Sequence, residues 1–457
     1  MRTKLILATL LTFLLTSSGW TQASEKNTRA SKLLSEQKFE QALPLFRELV
    51  KEEGPRIDLL LGLSEALSGT GQLNEALELS DRMLKLYPQQ AEPYAERAEL
   101  LALLGRPGEA AIVLNKAVEM QPNQPFHFIA RGYVLADLGR FSEANQDFDQ
   151  AAKLAPELAI AVSGRAYTAM QMGRLEAARL DAEKAVELDP NLVPALHTRA
   201  ELYAHDGRYD EALQDFSKAI DLDDTNTYLY TGRAAVYRAL GRLKESLADY
   251  DQAILLNPEV ADFYTARGQL YEELNQTDKA LADHNRAIEW SAGTDAASLI
   301  QRASYHLRLG ETEKALADYN AAIEANPEAA WSYLGRGQAK AALGDLAGAL
   351  QDYDKALDLD NEILYAYVAK ANALAASGDL EQAALPLIHV LGEQPDYSPG
   401  HLSMGYLWEA KGKPERARES FETALKHASD PSLQKEAQAA LDSLEQAETE
   451  EEVDPEE

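Results

Sequence analysis

The chain has 457 residues, with 44 basic and 75 acidic side chains and no cysteine, which excludes disulfides, thiolate metal sites, a thiol nucleophile and a lipid-modified N-terminal cysteine. A formal charge of −31 makes nucleic acid and anionic membranes unfavourable partners, because like charges repel. The 46% of hydrophobic residues supply enough apolar surface for a folded core.

The N-terminal segment, from Met1 to Ala23, has the layout of a secretory signal peptide. Two basic residues precede the apolar run from Leu5 to Leu15, and a polar stretch follows that ends at Ala23. The alternative is an uncleaved membrane anchor, but eleven residues rise only about 16 Å as a helix and a bilayer core is roughly 30 Å thick. We therefore predict cleavage after Ala23 and export, to the periplasm or, as the alternative, to the extracellular space. The mature chain would keep 42 basic and 75 acidic side chains, a net charge of −33.

A repeat with a period of about 34 residues follows the signal. An alanine recurs at this spacing, with one step longer by a single residue and one serine in place of alanine. Glycine stands five residues before this position in ten of the twelve copies, and proline often stands twelve residues after it. The recurring positions are Ala42, Ala76, Ala110, Ala144, Ala178, Ala212, Ser246, Ala280, Ala315, Ala349, Ala383 and Ala417.

Each copy is predicted to be a pair of amphipathic helices. The glycine can close the first helix with a positive φ, and the proline ends the second helix because it cannot continue the hydrogen-bond ladder. The small residues allow neighbouring helices to approach closely. A helix pair of this size cannot bury its apolar face alone, so the pairs are expected to stack.

These positions resemble those of the tetratricopeptide repeat family, and the fourth copy shows them well in Gly132, Tyr133, Gly139, Ala144 and Phe148. The resemblance implies an all-α fold, a right-handed α-solenoid of tandem antiparallel helix pairs whose first helices line a concave groove that holds proteins or peptides. It covers twelve motifs over residues 24–430. The motifs span 24–56, 57–90, 91–124, 125–158, 159–192, 193–226, 227–260, 261–295, 296–329, 330–363, 364–397 and 398–430.

Three departures from the repeat matter. Gln37 and Asn275 replace the glycine in the first and eighth copies, and the first copy is expected to be an atypical end cap. Asparagine tolerates the left-handed backbone conformation with positive φ, so the replacement of glycine by Asn275 should alter the turn little. The single inserted residue lies near Trp290–Thr294, where the sequence favours equally a longer loop or a hinge.

Two segments follow the last repeat. Residues 431–447 are predicted to form a C-terminal capping helix, because Leu433, Ala437, Ala440 and Leu444 fall on one face and can cover the last repeat. Residues 448–457 contain seven acids in ten positions and are predicted to be a disordered acidic tail.

A charge ladder accompanies the repeat. Arginine occupies one position of the first helices and aspartate one position of the second helices. A row of arginines could bind an anionic ligand. The arginine and aspartate positions recur in step with each other, however, and this favours structural Arg–Asp pairs within or between repeats. The ladder consists of Arg97, Arg131, Arg165, Arg199, Arg233, Arg267, Arg302 and Arg336 with Asp147, Asp181, Asp215, Asp249, Asp283, Asp318 and Asp352.

The groove is the candidate partner-binding site. The resemblance implies that positions 2, 5, 9 and 12 of each first helix face the groove, and several of these are aromatic. Such rings suit protein or glycan contacts, although they can equally pack between repeats. The candidates are Phe126, Ile129, Tyr133, Ile160, Tyr167, Tyr228, Trp331, Tyr365 and Tyr406, with Glu201, Glu272, Gln269, Gln338 and Asn372 between them.

An apolar patch is expected in the fourth and fifth repeats, where Phe126, Ile129 and Tyr133 lie beside Ile160 and Tyr167. The lysine and asparagine clamp that one sub-class of the family uses to bind a C-terminal carboxylate is absent.

No catalytic residues, metal ligands or cofactor are predicted. The sequence has no zinc-protease, nucleophile-elbow or phosphate-loop motif, and its eight histidines are scattered. His197 and His205 can share a helix face but have no suitably spaced acidic ligand.

The leading hypothesis for function is a non-enzymatic scaffold in the cell envelope that binds proteins or peptides, favouring basic segments because the chain is acidic. The alternative is a glycan-binding accessory protein in cell-wall or exopolysaccharide handling, which rests on the aromatic rings of the groove.

Overall fold

The structure is a computed structural model that describes residues 25–291 and 295–453. The predicted signal peptide at 1–23 therefore lies outside the described residues, as do 292–294 of the inserted junction and 454–457 of the tail. The described chain is all-α. Each of the twelve predicted segments contains one pair of helices, and a single helix follows them.

The helices are numbered in chain order, so that odd numbers from α1 to α23 are first helices and even numbers are second helices. They are α1 Glu25–Ser35, α2 Phe39–Glu53, α3 Ile57–Gly69, α4 Leu73–Leu86, α5 Glu92–Leu103, α6 Pro107–Met120, α7 Pro125–Asp137, α8 Phe141–Leu154, α9 Ala159–Gln171, α10 Leu175–Leu188, α11 Val193–His205, α12 Tyr209–Leu222, α13 Thr227–Ala239, α14 Leu243–Leu256, α15 Ala261–Glu273, α16 Thr277–Trp290, α17 Ala296–Arg308, α18 Thr312–Ala325, α19 Ala330–Ala342, α20 Leu346–Leu359, α21 Leu364–Ala376, α22 Leu380–Glu393, α23 Ser398–Ala410, α24 Pro414–His427 and α25 Pro431–Val453.

The chain divides into two compact units, the first up to Asp249 and the second from Tyr250, so the boundary falls within α14. Within each unit, successive helices pack on one another, from α1 to α13 in the first unit and from α15 to α25 in the second, and first helices also pack on the first helices of neighbouring repeats. This is the stacking of an α-solenoid, as the sequence predicts.

The turn between the two helices of a repeat depends on one backbone conformation. Gly139 has a φ of 72°, and its N–H donates to the carbonyl of Ala136 at 2.9 Å, which satisfies a carbonyl at the end of α7. The two replacements of this glycine adopt the same conformation, since φ is 54° at Gln37 and 56° at Asn275. The first repeat therefore keeps the family turn although it lacks the glycine.

Small residues facing large rings form the core. Ala144 is fully buried, and so is the ring of Phe148 on α8. A Cβ atom on either Gly132 or Gly164 would overlap that ring, so both glycines are needed for α7 and α9 to close on it. In the second unit, Phe421 on α24 lies against Gly405 in the same way.

The arginines and aspartates of the ladder are paired, which confirms the structural interpretation. Arg131 donates from Nε and Nη2 to both carboxylate oxygens of Asp147, at 2.7 Å each. Seven such fork-like pairs occur within their own repeats in the described chain, with N–O distances of 2.6–2.9 Å. The first arginine of the ladder, Arg97, pairs instead with Asp81 of the preceding repeat.

Most of these arginines also reach the second helix of the preceding repeat. The Nη1 atom of Arg131 donates to Asn115 at 2.9 Å, and that of Arg267 donates to Asp251 at 2.6 Å. One guanidinium thus connects two successive second helices and fixes how far one repeat is shifted on the next. Burial raises the pKa of Asp147 and the hydrogen bonds from Arg131 oppose this shift, so the cost of burying the carboxylate offsets part of the stability that the pair adds.

The last helix covers the end of the second unit. Ala437, Ala440, Leu441 and Leu444 of α25 are buried against the last repeat, as predicted for a capping helix. From the sequence, this helix is predicted to end at Ala447, but in the structure it continues to Val453. Residues 448–453, predicted to be disordered, are therefore helical.

The inserted junction is described only at its two ends. α16 ends at Trp290, and α17 begins at Ala296 behind Asp295, whose carboxylate accepts the backbone N–H of Ser298 at 2.7 Å. The choice between a longer loop and a hinge stays a prediction.

Removal of Arg131 tests the ladder. We expect Arg131→Ala to lower the free energy of unfolding by about 3 kcal/mol, because the buried carboxylate of Asp147 loses its partner. The matched control is Arg140→Ala. It breaks a surface ion pair in which the side chains of Arg140 and Glu143 are 48% and 53% exposed, so it should cost much less. Urea unfolding followed by circular dichroism measures both, and equal losses would contradict a register role.

Candidate functional site

The nine groove residues predicted from the sequence differ widely in exposure. Tyr228, Trp331, Tyr365 and Tyr406 are 42–57% exposed, although they are large aromatic side chains. Phe126, Ile160 and Tyr167 are half-buried. The remaining two are buried, so only part of the predicted set is accessible to a partner.

Ile129 and Tyr133 are buried in the core, so the structure does not place them on an exposed surface of the groove, where they are expected from the sequence. Ile129 is fully buried, and Tyr133 is only 6% exposed because its ring packs edge-on against Phe148, with 4.9 Å between the ring centroids. Ser163, expected as a polar flank of the patch, is also buried. The patch in the fourth and fifth repeats is thus reduced to Phe126, Ile160 and Tyr167.

Several polar residues of the predicted groove are engaged within the protein. Glu272 accepts a hydrogen bond from Nε2 of the buried His284 at 2.5 Å and also pairs with Arg308. Gln269 donates to Gln301 at 3.3 Å. These side chains are therefore part of the contacts between first helices.

Two of the exposed rings lie in one cleft of the second unit. Tyr365 on α21 and Tyr406 on α23 border a cavity of about 640 Å³, together with Asn372, which the sequence also assigns to the groove. The capping helix α25 contributes Leu433 and Glu436 to its wall. The lining also includes Gln394, Asp396 and Tyr397 from the turn before α23, and Ser398 and Pro399 from the start of that helix. We refer to this cavity as the C-terminal cleft.

The C-terminal cleft is acidic. Asp396, Asp430 and Glu436 line it, and His427 is the one side chain among its lining residues that can become cationic. Burial, together with Glu436 and Glu409, raises the pKa of Tyr406. Burial and the nearby Tyr365 raise the pKa of Tyr397. Both phenols therefore stay protonated and can donate hydrogen bonds from within a negative field.

Sequence reasoning identified the rings of the cleft but missed Asp396, Ser398 and Glu436. Asp396 lies in the turn between repeats, Ser398 is the first residue of α23 and Glu436 lies on the capping helix, all outside the groove positions of the repeat. Asp396 and Ser398 could have been found from their place between Pro395 and the groove positions of the last first helix.

A second site with unusual charge lies in the first unit, between α3 and α5. Glu96 and Glu99 are only 2% and 7% exposed, and each has one carboxyl oxygen without a hydrogen-bond partner. Burial raises the pKa of Glu96 to about 7; the Ser64 hydroxyl opposes this shift and Glu65 adds to it. Burial also raises the pKa of Glu99, with further contributions from Glu96 and Glu65. Glu65 and Glu99 occupy the same position in successive repeats, which is the pattern that could have indicated their contact.

The two histidines considered for metal binding lie in different surroundings. His197 is buried, with Nε2 at 3.4 Å from Glu201 and its ring against Phe216, whereas His205 is exposed beside Asp206. Within 25–291 and 295–453, no group of three or more His, Asp or Glu side chains has an arrangement that could hold a metal ion. Over the same residues, none of the helices combines the length and the hydrophobicity of a membrane span.

Stability is expected to fall as the pH rises through the range in which the buried glutamates titrate. A carboxyl group whose folded pKa lies above its unfolded value of 4.5 stabilises the fold at low pH, and this contribution is lost between 4.5 and the folded pKa of about 7. As the pH rises from 4.5 to 8, the ionisation of Glu96 should therefore lower the free energy of unfolding by on the order of 3 kcal/mol.

Urea midpoints at pH 5.5 and pH 8 measure this effect. Glu96→Gln, which resembles the protonated acid, should flatten the pH dependence, whereas Glu157→Gln at an exposed position should leave it unchanged. If the urea midpoint of Glu96→Gln changes with pH as much as that of the unchanged protein, the buried carboxyl of Glu96 is not the source of the pH dependence.

Comparison with known protein families gives matches along most of the described chain. Sequence models of the tetratricopeptide repeat match residues 33–95, 91–124, 129–192, 192–259, 249–282 and 300–362. No curated protein sequence matches the chain.

Among solved structures, yeast Tom70 aligns with 90% of this chain and 98% of its own, at 18% identity and a TM-score of 0.47. The Cut9–Hcn1 hetero-tetramer of the APC/C provides a chain that aligns over 96% of this chain and 98% of its own, at 12% identity and a TM-score of 0.46.

Proposed function

Because the chain belongs to the tetratricopeptide repeat family, whose repeats bind other proteins, we propose that it is an interaction scaffold that acts in the cell envelope, in the periplasm. The N-terminal segment with the layout of a signal peptide supports the compartment. The proposed role is non-enzymatic, and turnover by the purified protein would contradict it.

The observation that carries the proposal is the exposure of aromatic rings on the first helices. Trp331 and Tyr365 are 57% and 44% exposed on α19 and α21, and Tyr228 is 44% exposed on α13. All three occupy the second residue of a first helix, where a ring is not needed to fill the core. Exposed aromatic side chains supply large contact area at low cost in side-chain entropy, so they suit the binding of protein segments.

Basic segments are the favoured partners. The chain carries 75 acidic and 44 basic side chains, and many of the basic ones are held in ion pairs with its own acids. The remaining negative field should attract positively charged segments and accelerate their association at low ionic strength.

Photo-crosslinking in cells tests the scaffold. A photoreactive amino acid in place of Trp331 on a first helix should capture partner proteins that mass spectrometry can identify. The matched control is the same replacement of Leu385, which is 58% exposed on the second helix α22. Crosslinks that are equally frequent at both positions, or absent at both, would contradict binding through the first helices.

The compartment is tested separately. Mass spectrometry of the native protein should find a mature N-terminus at Ser24. An intact Met1 would contradict export.

A glycan-binding accessory role in cell-wall or exopolysaccharide handling is the second candidate. Its support is the C-terminal cleft, where two tyrosine rings, Tyr365 and Tyr406, stand beside the amides of Asn372 and Gln394. Sugar rings stack on aromatic faces and their hydroxyls bond to amides. Retention of the protein on purified glycan, without a crosslinked protein partner, would favour this role over the scaffold.

A further inference from the structure

We propose that the C-terminal cleft binds a short extended segment of a partner protein in which an arginine or lysine stands next to an aromatic side chain. The inference rests on the proposed scaffold function and specifies one of its binding sites. It also gives the capping helix α25 a second role, because this helix forms one wall of the cleft.

The cleft has the size of a site for a few residues. Its volume of about 640 Å³ lies within the range of pockets that enclose small ligands. Its floor is apolar, since Val368 and Leu402 are buried beneath it and Leu433 of α25 packs at its side. Tyr365 and Tyr406 present partly exposed rings at its border. An aromatic side chain can therefore pack inside while the rest of the segment lies along the cleft.

The charges of the cleft select a cation. Asp430 caps α25, since its carboxylate accepts the backbone N–H of Ser432 at 3.0 Å. Asp396 and Glu436 are exposed at the cleft, and among the lining residues neither lysine nor arginine is present to neutralise them. Two basic side chains on adjoining helices are held in ion pairs, Lys370 of α21 with Asp354 at 2.6 Å and Arg418 of α24 with Glu445 at 3.2 Å.

A buried hydroxyl also points to a ligand. Ser398 lines the cleft and is only 5% exposed, yet its Oγ atom has no hydrogen-bond partner in the protein. Nearly all buried polar side chains in folded proteins are hydrogen-bonded, so such an atom requires an explanation. A peptide group of a bound segment can supply the missing partner.

The same features make a neutral glycan the weaker occupant. Tyrosine rings and amides suit sugars and peptides alike, but the carboxylates of Asp396 and Glu436 gain nothing from an uncharged ring. A guanidinium group satisfies a carboxylate and stacks on a tyrosine ring at the same time.

Fluorescence anisotropy with a labelled peptide provides the test. The probe is the blocked heptapeptide Gly-Ser-Arg-Trp-Arg-Ser-Gly, and the reference peptide carries citrulline, the neutral isostere of arginine, at both arginine positions. The probe should bind the purified chain with one-to-one stoichiometry at low salt, and the citrulline peptide about tenfold more weakly, because the charge pairs with Asp396 and Glu436 are lost.

Two variants locate the site. Asp396→Lys with Glu436→Lys should weaken probe binding by about tenfold or more. The matched control, Glu419→Lys with Glu422→Lys, changes two exposed glutamates of α24 outside the cleft and alters the net charge equally, so it should change the affinity by less than about twofold. Ser398→Ala should weaken binding about threefold without lowering the urea midpoint, because the hydroxyl has no partner in the free protein.

The inference is overturned if the control variant weakens binding as much as the cleft variant, or if Ser398→Ala leaves the affinity unchanged. It is also overturned if an N-acetylglucosamine tetramer binds the cleft and the peptide does not. If the peptide fails to bind the cleft but the photoreactive residue at Trp331 still crosslinks to partner proteins, the proposed scaffold function is retained. Absence of those crosslinks would instead remove the scaffold, whatever the peptide does.

Discussion

Each helix pair in the described part of this chain has an apolar face that a neighbouring helix or helix pair must cover. A single repeat buries too little surface against itself to be stable alone, so its small and large residues are placed to complete a neighbour. The ring of Phe148 shows this dependence, because it fills the space left by Gly132 of its own repeat and Gly164 of the next. The core of one repeat is thus completed by residues of the repeat that follows it.

Shared contacts require that successive repeats pack in one register. Apolar packing alone specifies this register only weakly. The arginines of eight successive first helices, α5 to α19, form directional hydrogen bonds that help to specify the register. Arg267 bonds to Asp283 of its own second helix and to Asp251 of the preceding one, so a shifted repeat would leave charged groups unpaired. Because the aspartates are buried, the penalty for a wrong register exceeds the stability that a correct one adds.

The sequence specified the features that depend on a single repeat and its period. The turn positions, the helix pairs, the Arg–Asp pairs and the apolar face of α25 could all be predicted, since each requires only the residue type at a repeating position. The burial of side chains at the groove positions depends on neighbouring repeats and could not be predicted in this way. Glu96 and Glu99 are buried because α3 packs over them, and no feature of their own repeat indicates this.

One position of the groove shows why the end of the array differs from its interior. Tyr133 and Tyr406 occupy the same position, and each ring packs edge-on against the phenylalanine of its own second helix, at 4.9 and 5.0 Å. Tyr133 is 6% exposed and Tyr406 is 42% exposed. In the interior, the first helix of the next repeat, α9, packs beside α7, whereas the last repeat is followed by the single helix α25. That helix buries the core of the last repeat and also contributes Leu433 and Glu436 to the wall of the cleft that Tyr406 borders. The helix that terminates the array is therefore part of the cleft as well.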